Sequence, residues 1–462
     1  MSESTTLSRE IVERLMVLHR GIPDDVMISA RLHFLDALGV GAVGARRGPL
    51  RGLSQLATGV HAGGRSSVLG SSTATSASVA ALVNGSLIHS LEFDDTHVAS
   101  VIHGSSTLAA TALAVAQETG TGGDDMLSAF VIGWELLVRM GLASPGTLQA
   151  RGFQTTSAAG PFAAALVSSL LHSDDTETAV NALGIAGSQP GGTFAFLTDG
   201  DTVKAGQPAW AAHSGIWAAE LARAGMTGPE RVLEGSLGFY ELYADDPGAA
   251  GRLRHDLDNI GLCWHLQEAA FKLIPCCHFI HPFVEALSLL LDPGLEAGQI
   301  QNIHCLVPRG MAPVIAEPWP DRQHPRSSHD ARWSLPYVLA ARVVNGHVGL
   351  DLFDAPIGGE TLGLAERVTF TPWDDSGFPA RYPARLTVRT TSGQNLSAEV
   401  HDVLGGSGRP IGSDDIIKKA LRNLGIAGLD EIQGRAVVRE LTDEPSPDLD
   451  MLGSLLGKVG TL

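Results

Sequence analysis

The sequence predicts a mainly helical protein: a large all-helical bundle domain with a smaller, separate α+β domain. Three observations carry that expectation. The chain has 462 residues, 44% of them hydrophobic and 18% charged, which suits two or three domains of roughly 100 to 200 residues each and excludes wholesale disorder. From about Ser8 to Gly235, apolar residues recur at three- and four-residue spacing between Gly, Ser, Asp and Pro clusters, the period of packed helices. After about Gln267, short β-branched runs appear among further helical stretches, the mark of strands.

Taken in order, the helical segments are Ser8 to Leu18, Asp25 to Gly39, Ser76 to Leu91, Thr107 to Thr119, Asp125 to Gly141, Phe162 to His172, Thr176 to Ala186 and Trp210 to Gly225. Several are apolar on most faces and must be buried in a multi-helix bundle. Strands are expected at Ile300 to Val307, Arg367 to Thr371, Arg385 to Thr390 and Leu396 to Val400, the last two joined by a hairpin-like loop. Helices at His281 to Leu291 and Leu335 to Val344 lie among them. Ser413 to Leu424 has an acidic first turn and basic Lys418, Lys419 and Arg422 later, matching the helix dipole. The expected division is 1–266 helical, 267–404 α+β, and 405–462 as helices returning to the first domain.

The formal charge of −18 disfavours nucleic acid and anionic membrane as partners. The stretch Ser157 to Leu171 is short of the ~20 residues that span a bilayer, and the N-terminus has no basic region followed by an apolar core. Cys263, Cys276, Cys277 and Cys305 show no repeated CxxC spacing, so no disulfide framework and no metal site is signalled. A cytoplasmic protein without metal is expected.

Only five of the 32 basic residues are lysines: Lys204, Lys272, Lys418, Lys419 and Lys458. A lysine kept where arginine meets nearly every other demand for charge can serve proton transfer, since an ammonium loses a proton when desolvated. Compositional bias explains the scarcity equally well at this point.

Three segments carry chemistry. Between His89 and His103, three carboxylates and three histidines fall within fifteen residues between two apolar helices. His103 stands just before a new helix, whose positive end favours an anion and a neutral imidazole able to act as a base. An acidic loop with structural histidines is the plainer alternative. The second segment, Asp199 to His213, is a polar loop carrying Lys204 and opening onto an apolar helix. The third, Phe271 to Pro282, carries Lys272, Cys277 and His278 at the domain boundary; its apolar neighbours favour buried structural thiols over a Cys–His pair.

In order and spacing these segments resemble the MmgE/PrpD family, which includes 2-methylcitrate dehydratase, cis-aconitate decarboxylase and iminodisuccinate epimerase. Asn84-Gly85 through His89-Ser90-Leu91-Glu92-Phe93-Asp94-Asp95-Thr96 is similar to the family's NG…H(S/T)(L/M)DFDDT signature, and His103-Gly104-Ser105-Ser106 to its continuation. Gly152-Phe153-Gln154-Thr155-Thr156-Ser157, the Lys204 loop, Glu234 to Phe239, Lys272 to His281 and Trp333 to Tyr337 follow in family order. The resemblance implies a helical domain dimerised on itself, an α+β lid domain, and a cofactor-independent active site between the two. It also implies a catalytic His103, active-site lysines Lys204 and Lys272, and lid tyrosine Tyr337. Glu92, Asp95, Thr96, Gln154, Cys277 and His278 are implied as substrate-binding positions. Both early lysines thus fall on matched site positions. Gln154 stands where the family has a second histidine, and Glu92 where it has aspartate.

The resemblance therefore implies a lyase that dehydrates a hydroxylated di- or tricarboxylate, with decarboxylation or isomerisation of a related acid, or simple acid binding, as alternatives. Elimination needs a base, an acid for the departing hydroxyl, and cations for the carboxylates. His103 is the expected base, the lysines the expected anchors, and Tyr337 or a lysine the expected acid, with Thr96 and Gln154 as positioners. Glutamine cannot exchange a proton near neutral pH, which tilts the expectation toward elimination.

Overall fold

The computed structural model describes residues 5–292 and 294–460. The chain forms two compact units. The larger holds the residues up to Ala195, Val203–Phe271 and those from Gly412 onward, and the smaller holds Phe196–Thr202 and Lys272–Ile411.

The larger unit is built on α1 (Leu7–Leu18), α2 (Asp24–Arg47), α3 (Ala77–His89), α4 (Gly104–Thr119), α5 (Gly123–Ala143), α6 (Thr155–Leu171), α7 (Thr176–Ala186) and α8 (Val203–Arg223). The C-terminal helices α9 (Ser413–Ile426) and α10 (Glu431–Thr442) pack on α2. Alanine, glycine and serine dominate the central helices, and this lets their axes come close. A Cβ at Gly85 of α3 would stand 2.6 Å from the Ser106 carbonyl of α4, and one at Gly160 of α6 would stand 2.8 Å from the Ala211 side chain of α8. Neither position has room for a side chain.

Two features depart from the sequence expectation. The large domain is not all-helical: β1 (Ala62–Val68) and β2 (Ser71–Thr75) form an antiparallel hairpin turning at Gly70, φ +78°. Its Gly- and Ser-rich strands lack the apolar alternation that reveals a half-buried strand. A two-residue pairing of β3 (Thr96–His97) with β4 (Ala269–Ala270) is also present. Secondly, two helices exceed the length needed to cross a membrane, Asp24–Arg47 and Gly123–Ala143, with 78% and 94% of their apolar windows buried. Both are core helices of the larger unit.

The smaller unit carries a four-stranded mixed sheet in the order β6 (Val368–Trp373), β5 (Ile300–Pro308), β7 (Ala384–Thr390), β8 (Asn395–Val400). β5 runs parallel to β6 and antiparallel to β7, and β7 pairs antiparallel with β8 from Arg389–Asn395 to Ala384–Val400. Alternating burial along β7 gives the sheet one covered face, against which the helix His281–Leu291 packs. The expected mainly helical architecture with a smaller α+β part is thus observed.

Candidate active site

The turn between α3 and α4 brings together the acidic and imidazole groups of the larger unit. Glu92 has φ +52°, a left-handed conformation that costs a side chain longer than Asn or Asp about 1 kcal/mol or more. With that reversal Glu92 forms an ion pair with Lys204. Lys204 is the second residue of α8, which begins seven residues earlier than its apolar pattern indicates. Its ammonium also lies 3.0 Å from Nε2 of His89.

His89, the last residue of α3, is buried and places Nδ1 2.8 Å from Asp94 Oδ2. Gln154, the N-cap residue of α6, lies with its amide nitrogen 3.3 Å from His89 Nε2 and accepts the Ser157 hydroxyl at 2.5 Å. His103 caps α4 and packs edge-on against His89, with ring centroids 4.8 Å apart. Its Nδ1 lies 3.1 Å from the Asp95 carbonyl and 3.3 Å from the Thr96 hydroxyl. A carbonyl only accepts, so the His103 proton belongs on Nδ1 and the neutral ring carries its lone pair on Nε2. The His103 amide donates to Thr156 of α6 at 2.9 Å, and a Cβ on Gly104 would stand 2.5 Å from the Trp134 ring, so the ring's backbone is held from two sides.

Asp95 acts on the scaffold. Its carboxylate accepts the Ser105 amide at 3.3 Å and the Ser105 hydroxyl at 2.5 Å, fastening the start of α4, and takes His33 Nδ1 at 2.8 Å. His33 in turn stacks on Phe271, centroids 4.0 Å apart. Beneath the turn, Lys419 of α9 reaches the Phe93 carbonyl at 3.0 Å and pairs with buried Asp36 at 2.8 Å. Burial pushes the Lys419 ammonium down and the Asp36 carboxyl up from their ordinary ranges, and each partly offsets the other.

The structure therefore brings together Glu92, Asp95, Thr96, His103, Gln154 and Lys204 in the larger unit. Lys272, Cys277, His278 and Tyr337 are buried residues of the smaller one. There the Cys277 amide donates to the Arg332 carbonyl at 2.9 Å, and Tyr337 stands in the first turn of the helix Leu335–Asn345, its amide donating to the Ser334 side chain at 3.0 Å. Burial raises the Tyr337 hydroxyl above its ordinary range, so it stays protonated at neutral pH.

Two groups among the described residues have metal-ligand spacing, with ligand atoms within 4.8 Å of one another: His89, Asp94 and His103, and separately His97, His265 and Glu268. In the second, Glu268 accepts from His265 at 2.8 Å and from His97 at 3.2 Å. These hydrogen bonds hold its carboxyl well below the usual range, and they account for the grouping without a cation. Sequence reasoning passed over His89, although it lies in the quoted signature; its distance of five residues from Asp94 was the available signal.

Comparison with known proteins matches residues 17–251 to the MmgE/PrpD N-terminal domain and residues 274–442 to the MmgE/PrpD C-terminal domain. The chain belongs to the MmgE/PrpD family. It is 30% identical over 457 residues to a cis-aconitate decarboxylase-like protein, oryM, of Aspergillus oryzae, covering 94% of each chain. It is 27% identical to a cis-aconitate decarboxylase of Aspergillus terreus, covering 86% of this chain and 85% of that one. The human cis-aconitate decarboxylase is 25% identical, with 92% of each covered. The names of these three relatives are those of a cis-aconitate decarboxylase or a protein like one.

Proposed function

We propose that this MmgE/PrpD member is a lyase that eliminates water from a hydroxylated di- or tricarboxylate. The observation that carries the reading is that two proton-transfer groups lie against one imidazole: His103 packs on the His89 ring and Lys204 reaches its Nε2 at 3.0 Å. His103, with Nδ1 tied to the Asp95 carbonyl, takes the proton next to the substrate carboxylate on Nε2. Lys204 protonates the departing hydroxyl. Asp95 and Thr96 keep His103 in place, and Gln154 orients His89. On the family resemblance, Lys272 is a carboxylate anchor, Tyr337 a proton donor, and Cys277 and His278 substrate-side positions. The four free cysteines support a reducing compartment, and a cytoplasmic homodimer belongs to the same proposal.

Decarboxylation is the second reading, favoured by the names of the relatives. One experiment separates the two. Wild-type protein is incubated with a panel of hydroxylated di- and tricarboxylates, and with cis-aconitate, and products are followed by proton NMR and carbon dioxide release. A new alkene from a hydroxy acid is expected, reduced by about 100-fold or more in His103→Ala. Carbon dioxide from cis-aconitate with no alkene from any hydroxy acid overturns dehydration in favour of the second reading. Binding of the acids without either product makes the protein a carboxylate-binding member of its family.

A further inference from the structure

The hydrogen-bonding sense around His89 extends the lyase reading, on which the next inference rests. An ionised carboxylate only accepts, so the 2.8 Å contact with Asp94 places the His89 proton on Nδ1. The lone pair is then on Nε2. Both groups facing it are donors: the Lys204 ammonium at 3.0 Å and the Gln154 amide at 3.3 Å. The amide's sense follows from that bare Nε2, which only a donor can face, and the Ser157 hydroxyl then serves the other end of the same side chain at 2.5 Å. The remaining titratable neighbours in the larger unit are Glu92, whose Oε1 lies 4.0 Å from Nε2, and His103, whose Nδ1 is 3.7 Å from Asp94 Oδ2.

We propose that His89 is the proton partner of Lys204: a proton moves between Lys204 Nζ and His89 Nε2, and Asp94 holds the imidazolium. In the outward step one N–H bond on Nζ breaks and one forms on Nε2. The ammonium becomes an amine and the imidazole an imidazolium, so charge is conserved and no further reactant is needed. In the return step the N–H bond on Nε2 breaks and one forms again on Nζ, restoring the ammonium that protonates the departing hydroxyl. Gln154 orients the ring but cannot take the proton, since an amide does not titrate in this range. His89 acts through Lys204 and is a positioning residue.

The test has a substrate-free arm and a kinetic arm. In protein labelled with nitrogen-15 histidine, the His89 signals are assigned by their loss in His89→Gln, or by their shift in Lys204→Met should the first variant fold poorly. The expected resting tautomer has the proton on Nδ1 and a bare Nε2. A proton on Nε2 overturns the proposal whether or not any substrate is found, and leaves the lyase reading standing. Kinetically, glutamine at position 89 still offers an acceptor to Lys204 but cannot carry its proton. His89→Gln is expected to keep KM within about threefold and lose about 100-fold in kcat, with added imidazole partly restoring His89→Ala. A His89→Gln enzyme with wild-type kcat reduces His89 to a hydrogen-bond acceptor and overturns the proposal.

Discussion

Two lysines of the larger unit, Lys204 and Lys419, have largely covered side chains, and their surroundings differ. Lys419 meets Asp36 Oδ1 at 2.8 Å, Asp36 Oδ2 at 3.0 Å and the Phe93 carbonyl at 3.0 Å, with the Phe93 ring 4.0 Å away. Its hydrogen bonds go to Asp36 Oδ2 and the Phe93 carbonyl, and the ion pair with Oδ1 and the aromatic ring complete its surroundings. Lys204 meets a carboxylate too, but beside it stands the lone pair of an imidazole. On the proposal above, similar side-chain burial yields a structural pair in one place and a pair with an exchangeable proton in the other. What separates a site from a strut is whether a partner can change its state.

The largest test of that contrast is Lys419→Met, which leaves the Asp36 carboxylate buried and unpaired. Removing one partner of such a pair costs about 3–5 kcal/mol, read as a lower urea midpoint. The double variant with Asp36→Asn is expected to recover most of it. If Lys419→Met unfolds like the wild type, the Lys419–Asp36 pair is not a strut. Next comes Lys204→Arg, which keeps the positive charge but cannot yield a proton near neutral pH. A kcat lower by about 100-fold is expected, and full activity with arginine would make Lys204 a plain charge. The smallest effect is predicted for Glu92→Asp. Aspartate relieves the left-handed strain at φ +52° but draws the carboxylate back by one methylene. A kcat/KM lower by about tenfold, with an unchanged or higher Tm, sharpens the view that Glu92 places Lys204.

Much of this was legible in the sequence, for a local reason. The helical period survives in the alanine-rich segments because burial on several faces keeps them apolar, and the strands after Gln267 show their β-branched alternation. The signature from Asn84 to Ser106 is contiguous, so its carboxylates and histidines announce themselves as a group. Less legible were pairs closed by the fold. Lys204 and His89 stand 115 residues apart, and Lys419 and Asp36 stand 383 apart, and no period links such positions. Lys419 matched the dipole of its own helix, a local explanation that concealed the longer-range one. The start of α8 was hidden because Lys204, Gln207 and Pro208 look like loop residues, although the helix runs through them.

The scarcity of lysine has a practical consequence for handling this protein. Lys272 is fully buried, Lys204 is 5% exposed, and the Lys419 side chain is 8% exposed. Lys418, with its side chain 73% exposed, and exposed Lys458 are the side-chain amines that an acylating dye or an activated resin meets in the folded state. Both lie in the last 45 residues of the chain. Coupling through lysine would therefore tether the molecule by its C-terminal segment, with the Glu92–His103 turn untouched by the reagent.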